Sequence, residues 1–499
     1  MPRPGGRVPL LAWETWCLAG LLAAVLALNL ATGQRSPAVW IDEVAYADPA
    51  VNVWLGRGFT SSAWYAQGDT EFWAGNVPLY SAMLYVWLRL FGFSIVAVRS
   101  INYLLIIPAI VLLWLGVRRH GLISSPGWRL FMVALVLLGF CVCFSYRSGR
   151  PDVLCILLAC VAFLACTITH KRLRLAAVCA VGVLFPIAGL HLVAYALVLW
   201  GVLLPFLGRR YLAEWAALGI GCLLGGLALF AFYSFHGVWE QFVASTVGTH
   251  AVGGAEGRLR WRIPGGLKDP SFLLLLLAAL VLAVALKRQG RFVWRSPLGF
   301  ALAAGLIIPL SINLLRKTYP CYYGWMAYIP VSVTLCAALA ARPPLPRLIG
   351  KVAMPMLVGL ACLAGLPVVT VLTLLEWDQR DYRHVEQLIQ RHVRPEDVVF
   401  CEGAAYYALK LRNPLLTGLR RLWSASPEEA ARINVLVMNP SRFELAQKSV
   451  GGQWRACESP PLLSQAPRLG IETEYFLDRY RLCVYRRQTQ LAAAEPLRR

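Results

Sequence analysis

Apolar runs long enough to cross a bilayer recur along the chain as far as about residue 375, separated by short polar connections. A helix rising 1.5 Å per residue needs about 20 apolar residues to span a ~30 Å hydrocarbon core, and fewer where neighbouring helices bury it. Candidate spans lie near residues 12–31, 98–117, 129–146, 152–169, 174–188, 190–207, 212–235, 270–286, 297–315, 323–341 and 352–375, about eleven in all. The run from Val77 to Phe91 contains Pro78 and Arg89. As a helix it would be only about 22 Å long, so it is expected to lie along the membrane interface rather than cross.

Past residue 375 the pattern changes. Asp381 to His392 has helical apolar spacing, whereas Asp397–Cys401, Asn434–Met438 and Tyr480–Tyr485 read as buried strands. The expected architecture is an α-helical multi-pass membrane domain over residues 1–375, with a first outer loop at 32–97. A small soluble α/β domain over 376–499 would follow, large enough for its own core.

Composition supports the membrane reading. The 499 residues are 58% hydrophobic and 15% charged, with a mean hydropathy of +0.58, outside the range of soluble globular chains. The net charge of +22 raises nucleic acid as a partner. Lys and Arg fall in short clusters between apolar runs, however, which is how inner-face anchors are distributed, so nucleic acid is set aside. The run from Trp16 to Ala31 is followed by no small-residue cleavage site and reads as an uncleaved first span. Most of the 14 Cys lie inside apolar runs, where they act as small hydrophobes, and no CxxC pair or Cys/His cluster points to zinc. Cys401, Cys457 and Cys483 lie in the soluble region and allow one disulfide with one thiol left over.

Basic residues are retained on the cytoplasmic side. Arg118-Arg119, Lys171-Arg172-Leu173-Arg174, Arg209-Arg210, Lys287-Arg288 with Arg291 and Arg295, and Arg342 with Arg347 fall on one side, with the N-terminus, provided residues 77–91 do not cross. The outer face then receives loop 32–97, the turns Tyr146–Asp152, Gly189–His191 and Arg316–Gly324, loop 236–269 and the C-terminal region. Nearly every polar residue with chemical potential gathers there, and the spans themselves read as largely free of charge.

The first outer loop opens on Trp40-Ile41-Asp42-Glu43-Val44-Ala45-Tyr46. Carboxylates at a bilayer edge are costly to desolvate and are functional candidates for that reason. The competing reading is that Asp42 or Glu43 caps a following helix. Asp42-Glu43-x-x-Tyr46-Ala47 is followed by Gly56-x-Gly58, Pro78-Leu79-Tyr80, Phe91-Gly92-Phe93-Ser94-x-x-x-x-Arg99 and Arg150-Pro151-Asp152. In order and spacing, over about residues 10–330, this series resembles the GT-C superfamily of integral-membrane glycosyltransferases, of the protein O-mannosyltransferase and aminoarabinose-transferase type (glycosyltransferase family 39). One departure is Ala74-Gly75-Asn76-Val77-Pro78, which lacks the Lys and the second Pro that aminoarabinose transferases carry there.

The resemblance implies transfer of a sugar from a polyprenyl-phosphate donor to a lipid, glycan or protein acceptor of the cell envelope, at the extracytoplasmic face of the cell membrane and with inversion. Asp42 matches the family's reaction-centre acid, with Glu43 beside it, and Asp152 matches a second active-site acid. Asp42 and Asp152 could together hold a divalent cation such as Mg or Mn. A departing phosphate requires cationic donors. Arg150, His191, His250, Arg316, Lys317 and Tyr319 are the candidates to bind it; Arg147, Arg258, Arg260 and Arg262 share the face. Arg99 is expected to snorkel at the mouth of its span. Asp48, in the same loop but outside the motif, is expected to matter little. The alternatives are a glycan ligase or polymerase working from a polyprenyl-pyrophosphate carrier, and a lipid or sugar transporter. A transporter would be expected to show repeats and midplane polar residues, and neither is evident.

Overall fold

The computed structural model describes residues 11–64, 67–248, 269–316, 320–341, 345–458 and 480–488. All eleven predicted spans fall on helices. Six are long and apolar enough to cross a membrane by themselves, and eight are if each of two bent pairs counts as one span. Helices α1 (Ala12–Thr32), α2 (Ile41–Trp54), α3 (Leu79–Phe91), α4 (Ile95–Arg119), α5 (Pro126–Leu138), α6 (Phe140–Arg147), α7 (Asp152–Ala165), α8 (Lys171–Ala188), α9 (Leu190–Leu207) and α10 (Leu212–Phe235) form the first part of the bundle. Helices Pro270–Arg288, Pro297–Arg316, Trp325–Ala340, and the bent pair Met354–Leu363 and Leu366–Leu375 complete it. Helix α7, with 14 residues, and Trp325–Ala340, with 16, are shorter than a span, and α8 opens on Lys171, Arg172 and Arg174. The protein is a multi-pass membrane protein.

The predicted span at 129–146 is broken between α5 and α6, which meet at 59°. Gly139 sits at the break in an extended conformation. A Cβ there would lie 2.4 Å from the Tyr328 ring, so only glycine fits. A break inside hydrocarbon leaves backbone groups that need partners. Phe140 N donates to Ser271 Oγ at 3.3 Å and Cys141 N to Asp269 at 3.0 Å, while Tyr328 and Tyr146 hydroxyls donate to the carbonyls of Leu135 (2.8 Å) and Leu137 (3.0 Å).

Ion pairs inside the bundle correct the expectation of nearly charge-free spans. At the end of the bundle away from α2, Arg129 holds Glu14 with two bonds, of 2.7 and 2.6 Å, and Trp114 donates to the same carboxylate at 2.7 Å. Arg174 reaches Glu214 at 2.7 Å between α8 and α10. Those two helices pack backbone to backbone: a Cβ on Gly221 or Gly225 would lie 2.1 or 2.0 Å from the carbonyl of Cys179 or Val183. Such small-residue contacts drive helix association where lipid supplies no hydrophobic force.

The C-terminal region forms helix Arg383–His392 and a five-stranded sheet of β1 (Val399–Cys401), β2 (Leu415–Thr417), β3 (Val435–Met438), β4 (Trp454–Ala456) and β5 (Cys483–Arg487). The strand order is β2-β1-β3-β5-β4. Strands β2, β1 and β3 run parallel, with Phe400 opposite both Leu416 and Leu436, and β5 is antiparallel to β3 and β4. Three strands match the sequence reading; β2 and β4, three residues each, were not foreseen. Cys401, Cys457 and Cys483 are all free thiols, so the allowed disulfide is not formed.

Candidate active site

Asp42 and Glu43 occupy the first turn of α2, favoured there by the helix dipole. Neither caps it; the N-cap is Trp40, which has no side-chain capping bond. Consecutive helical positions point about 100° apart, and the two carboxylates have separate fates.

Glu43 is completely buried. Arg99 holds it through Nε to Oε1 at 2.8 Å and Nη2 to Oε2 at 2.6 Å, and the Tyr407 hydroxyl donates to Oε1 at 3.2 Å. Arg99 spends its remaining amino group on the carbonyls of Gly33 (2.7 Å) and Pro37 (2.8 Å). Two expectations are corrected here. Arg99 does not snorkel, and Glu43 has no oxygen left for a reacting proton; the pair fixes α2 to the mouth of α4. Arg147 is likewise structural, donating to Asn29 at 2.7 Å and to Thr32 and the Ser36 carbonyl at 2.8 Å.

Asp42 faces Arg150. Its side chain keeps 35% exposure, against 2% for Arg150 and 0% for Asp152. Arg150 donates through Nη1 to Asp42 Oδ2 at 2.5 Å and through Nε to Asp152 Oδ2 at 2.8 Å. Its second amino group, Nη2, has no bond among the described residues. The guanidinium lies 3.7 Å from the ring centroid of Tyr322, with Tyr46 at 5.2 Å and Trp40 at 5.3 Å. The turn carrying Arg150 is set by Asn102, whose amide donates to the carbonyls of Ser148 (2.5 Å) and Arg150 (2.8 Å). Gly149 packs on Glu43, where a Cβ would lie 2.9 Å from its Cγ.

Asp152 begins α7, and its Oδ1 is buried with no hydrogen-bond partner among the described residues. His191, in the first turn of α9, approaches that oxygen at 3.9 Å and packs on Tyr323 with ring centroids 5.0 Å apart. The starts of α2, α7 and α9 therefore converge with the Cys321–Tyr323 turn on one small polar site walled by aromatic rings. Of the other expected residues, Arg316 closes helix Pro297–Arg316. His250, Lys317 and Tyr319, together with Arg258, Arg260 and Arg262, lie outside the described residues.

The donor set does not fit a divalent cation. The guanidinium of Arg150 already lies between Asp42 and Asp152 and offsets one of their two charges, and among the described residues no third Asp, Glu, His or Cys completes a metal-binding group. Asp42 and Asp152, read from the sequence as a pair able to hold a divalent cation, are instead joined by Arg150.

Sequence reading missed Asn102, which left a signal as an amide inside an otherwise apolar span; Trp40 and Tyr322 lie in stretches it singled out, the start of the first outer loop and the Arg316–Gly324 turn, but it gave neither a role of its own. Asp48, expected to matter little, is also corrected. It is fully buried and receives Ser62 N at 2.6 Å, Ser61 Oγ at 3.0 Å, the Tyr406 hydroxyl at 2.5 Å and Lys410 Nζ at 2.5 Å. Burial pushes its pKa up, but Lys410 and these hydrogen bonds outweigh burial and hold it below the usual carboxylate value.

No family model matches the chain, and no curated protein matches its sequence. Among solved structures, ArnT from Cupriavidus metallidurans bound to undecaprenyl phosphate aligns with a TM-score of 0.60 at 14% identity, over 97% of this chain and 100% of that one. Its apo state gives 0.57 at 15%, over 95% and 98%. The chain has the GT-C fold. The apo oligosaccharyltransferase of Archaeoglobus fulgidus is more distant, with a TM-score of 0.46 at 10% identity over 89% of this chain and 73% of that one. At these identities the likeness speaks to the fold, and the chemistry has to be read from the residues.

Proposed function

We propose that the protein is a glycosyltransferase that moves a sugar from a polyprenyl-phosphate donor to an envelope acceptor, with the site on the extracytoplasmic side. The observation that carries this reading is the Asp42–Arg150–Asp152 array, in which one carboxylate keeps an accessible face and the arginine between them has an amino group with no bond among the described residues.

In the reaction, an acceptor hydroxyl passes its proton to Asp42 as its oxygen attacks the anomeric carbon. The bond from that carbon to the phosphate oxygen breaks, the electron pair stays on the phosphate, and the anomeric centre inverts. Arg150 is the natural partner for the departing dianion, since a planar guanidinium matches phosphate oxygens and is strong where water is excluded. Moving the guanidinium from Asp42 to the phosphate leaves Asp42 free to take the proton. Asp152 holds the Nε of Arg150 as the other end of the guanidinium turns to the phosphate, and the N-termini of α7 and α9 add positive potential. His191 lies beside this path and would contact the phosphate. Base assistance of this kind typically contributes 10²- to 10⁴-fold.

ArnT was solved with undecaprenyl phosphate bound, which makes that lipid a natural probe. The purified protein in detergent should release polyprenyl phosphate from at least one member of a panel of hexosyl and pentosyl phosphopolyprenols. Release from pyrophosphate-linked glycans alone would replace this reading with that of a glycan ligase or polymerase.

A further inference from the structure

Helix α2 bears three carboxylates, and the C-terminal domain grips two of them. Lys410, just past the short helix Tyr406–Leu409, sets its ammonium 2.5 Å from Asp48 Oδ1 and donates to Ser62 Oγ at 3.1 Å. The neighbouring Tyr406 hydroxyl donates to the same Asp48 oxygen at 2.5 Å. Tyr407, one residue on, donates to Glu43 at 3.2 Å.

The grip extends to the start of the helix. The Tyr480 hydroxyl accepts from Val39 N at 3.3 Å. Gly403 presses so closely on the chain before Asp42 that a Cβ would lie 2.8 Å from Ile41 N and 2.9 Å from the Trp40 carbonyl carbon. Thr417, which ends β2, donates its amide to the Ser62 carbonyl at 3.1 Å. Val44, fully buried, joins the domain's own core beside Tyr406 and Leu409. At 100° per residue Ile41, Val44 and Asp48 share a face, and Asp42 projects about 120° away from Asp48. The domain thus holds one side of α2 while Asp42 faces Arg150 from another.

We propose that the C-terminal domain is a working part of the membrane site: it sets the position of α2, and through it of Asp42, with Lys410 and Tyr407 as positioning residues. The catalytic consequence rests on the glycosyltransferase reading above; the mechanical one does not. Neither side chain contacts Asp42, so each acts through the helix. A reacting group displaced by about 1 Å can lose roughly 100-fold in rate with little change in ground-state binding.

The test uses full-length protein in detergent and compares wild type with Tyr407→Phe, Lys410→Met and the charge-balanced double variant Lys410→Met/Asp48→Asn. Tyr407→Phe removes one hydroxyl and keeps the ring, so it remains informative if Lys410→Met fails to fold. Amide hydrogen exchange over residues 41–47 should rise in Tyr407→Phe and Lys410→Met while the spans keep their protection. In the same variants kcat should fall by about 10- to 100-fold, with the donor KM within about twofold, and the double variant should recover part of the loss. Unchanged exchange at 41–47 in Tyr407→Phe and in folded Lys410→Met overturns the proposal, as does faster exchange with an unaltered kcat. If wild type transfers from no phosphopolyprenol donor, the functional reading falls, while exchange at 41–47 still decides whether the domain holds this helix.

Discussion

Arg150 lies over the ring of Tyr322, its guanidinium carbon 3.7 Å from the ring centroid, while its N–H groups reach Asp42 and Asp152. A long side chain would otherwise lose much rotamer freedom on being fixed between two carboxylates. The aromatic face restricts it in advance and leaves Nη2 available to a ligand.

Arg150→Lys keeps the charge but loses the fork and the stacking surface. Donor turnover should fall by about 10², and undecaprenyl phosphate should bind more weakly. Tyr322→Leu, which removes only the stacking, should cost about tenfold, the scale of a partly desolvated cation–π contact. Full activity in Arg150→Lys would show that a point charge suffices and that the fork has no role.

Asp381, just beyond the last spanning helix, is bonded by Arg383 Nη2 at 2.6 Å and by Arg35 at 2.9 Å. Arg383 is the main cause, assisted by Arg35, of a pKa lowered to about 2 despite the opposing effect of burial. In the unfolded chain this carboxylate titrates near its ordinary value of about 3.9. Its stabilising contribution is therefore complete above about pH 4 and is lost as pH falls through about 2. Asp381→Asn should lower Tm by a constant amount between pH 5 and 7, and the gap to wild type should close toward pH 2. A gap still at full size at pH 2 would assign the effect to packing rather than charge.

The contact between α8 and α10 depends on glycine. Gly221→Ala would push a methyl to 2.1 Å from the Cys179 carbonyl, whereas Gly219 on the same helix has nothing within 4 Å. Overpacking against backbone typically costs 1–3 kcal/mol. Gly221→Ala should therefore lower the Tm in detergent by several degrees, with Gly219→Ala neutral or slightly stabilising; equal Tm values would mean that the helices separate at no cost.

How much of this could be read from the chain follows from the range of the forces involved. Spans such as Ile95–Arg119 were legible because burial in lipid needs only a local apolar run. The break at Gly139 was not, because the apolar run continues past it through Phe140, Cys141, Val142, Cys143 and Phe144, and the partners of the break, Ser271 and Asp269, lie at the start of another helix. Asp42, Arg150 and Asp152 could be picked out as polar residues at span mouths. That Arg150 would join the two acids, and that Glu43 would be spent on Arg99, are tertiary facts with no local signature. Asp48 failed for the same reason: its partner Lys410 lies in the C-terminal domain. Strands β2 and β4 have three residues each, like β1, but lack the longer apolar run, Val398-Val399-Phe400-Cys401, that marks β1.

The proposed sidedness rests on the distribution of Lys and Arg. A reporter fused near Arg119 should report the cytoplasm and one near Gly149 the exterior. Arg150 bonds both Asp42 and Asp152, so the two acids share a face; the opposite pair of results would invert the whole bundle and put both acids on the inner face, away from an envelope acceptor.

Asp42→Asn is the decisive substitution. It keeps size and one acceptor oxygen for Arg150, so α2, held by Glu43–Arg99 and Asp48–Lys410, should stay in place and the protein should fold with an unchanged Tm. What it loses is proton-accepting power. Turnover of the phosphopolyprenol donor should drop by about 10² or more while undecaprenyl phosphate still binds. Asp152→Asn should also impair transfer, by loosening Arg150, and its loss should appear in phosphate binding as well as in rate. Glu43→Gln should fail differently, through lowered stability, because it leaves Arg99 buried with no carboxylate to balance it, a change that commonly costs 3–5 kcal/mol. Wild-type turnover in Asp42→Asn would remove Asp42 from the mechanism. Because Glu43 and Asp152 are fully buried, no other acid of this site among the described residues would be left accessible to act as base, and the transferase reading would fall with it.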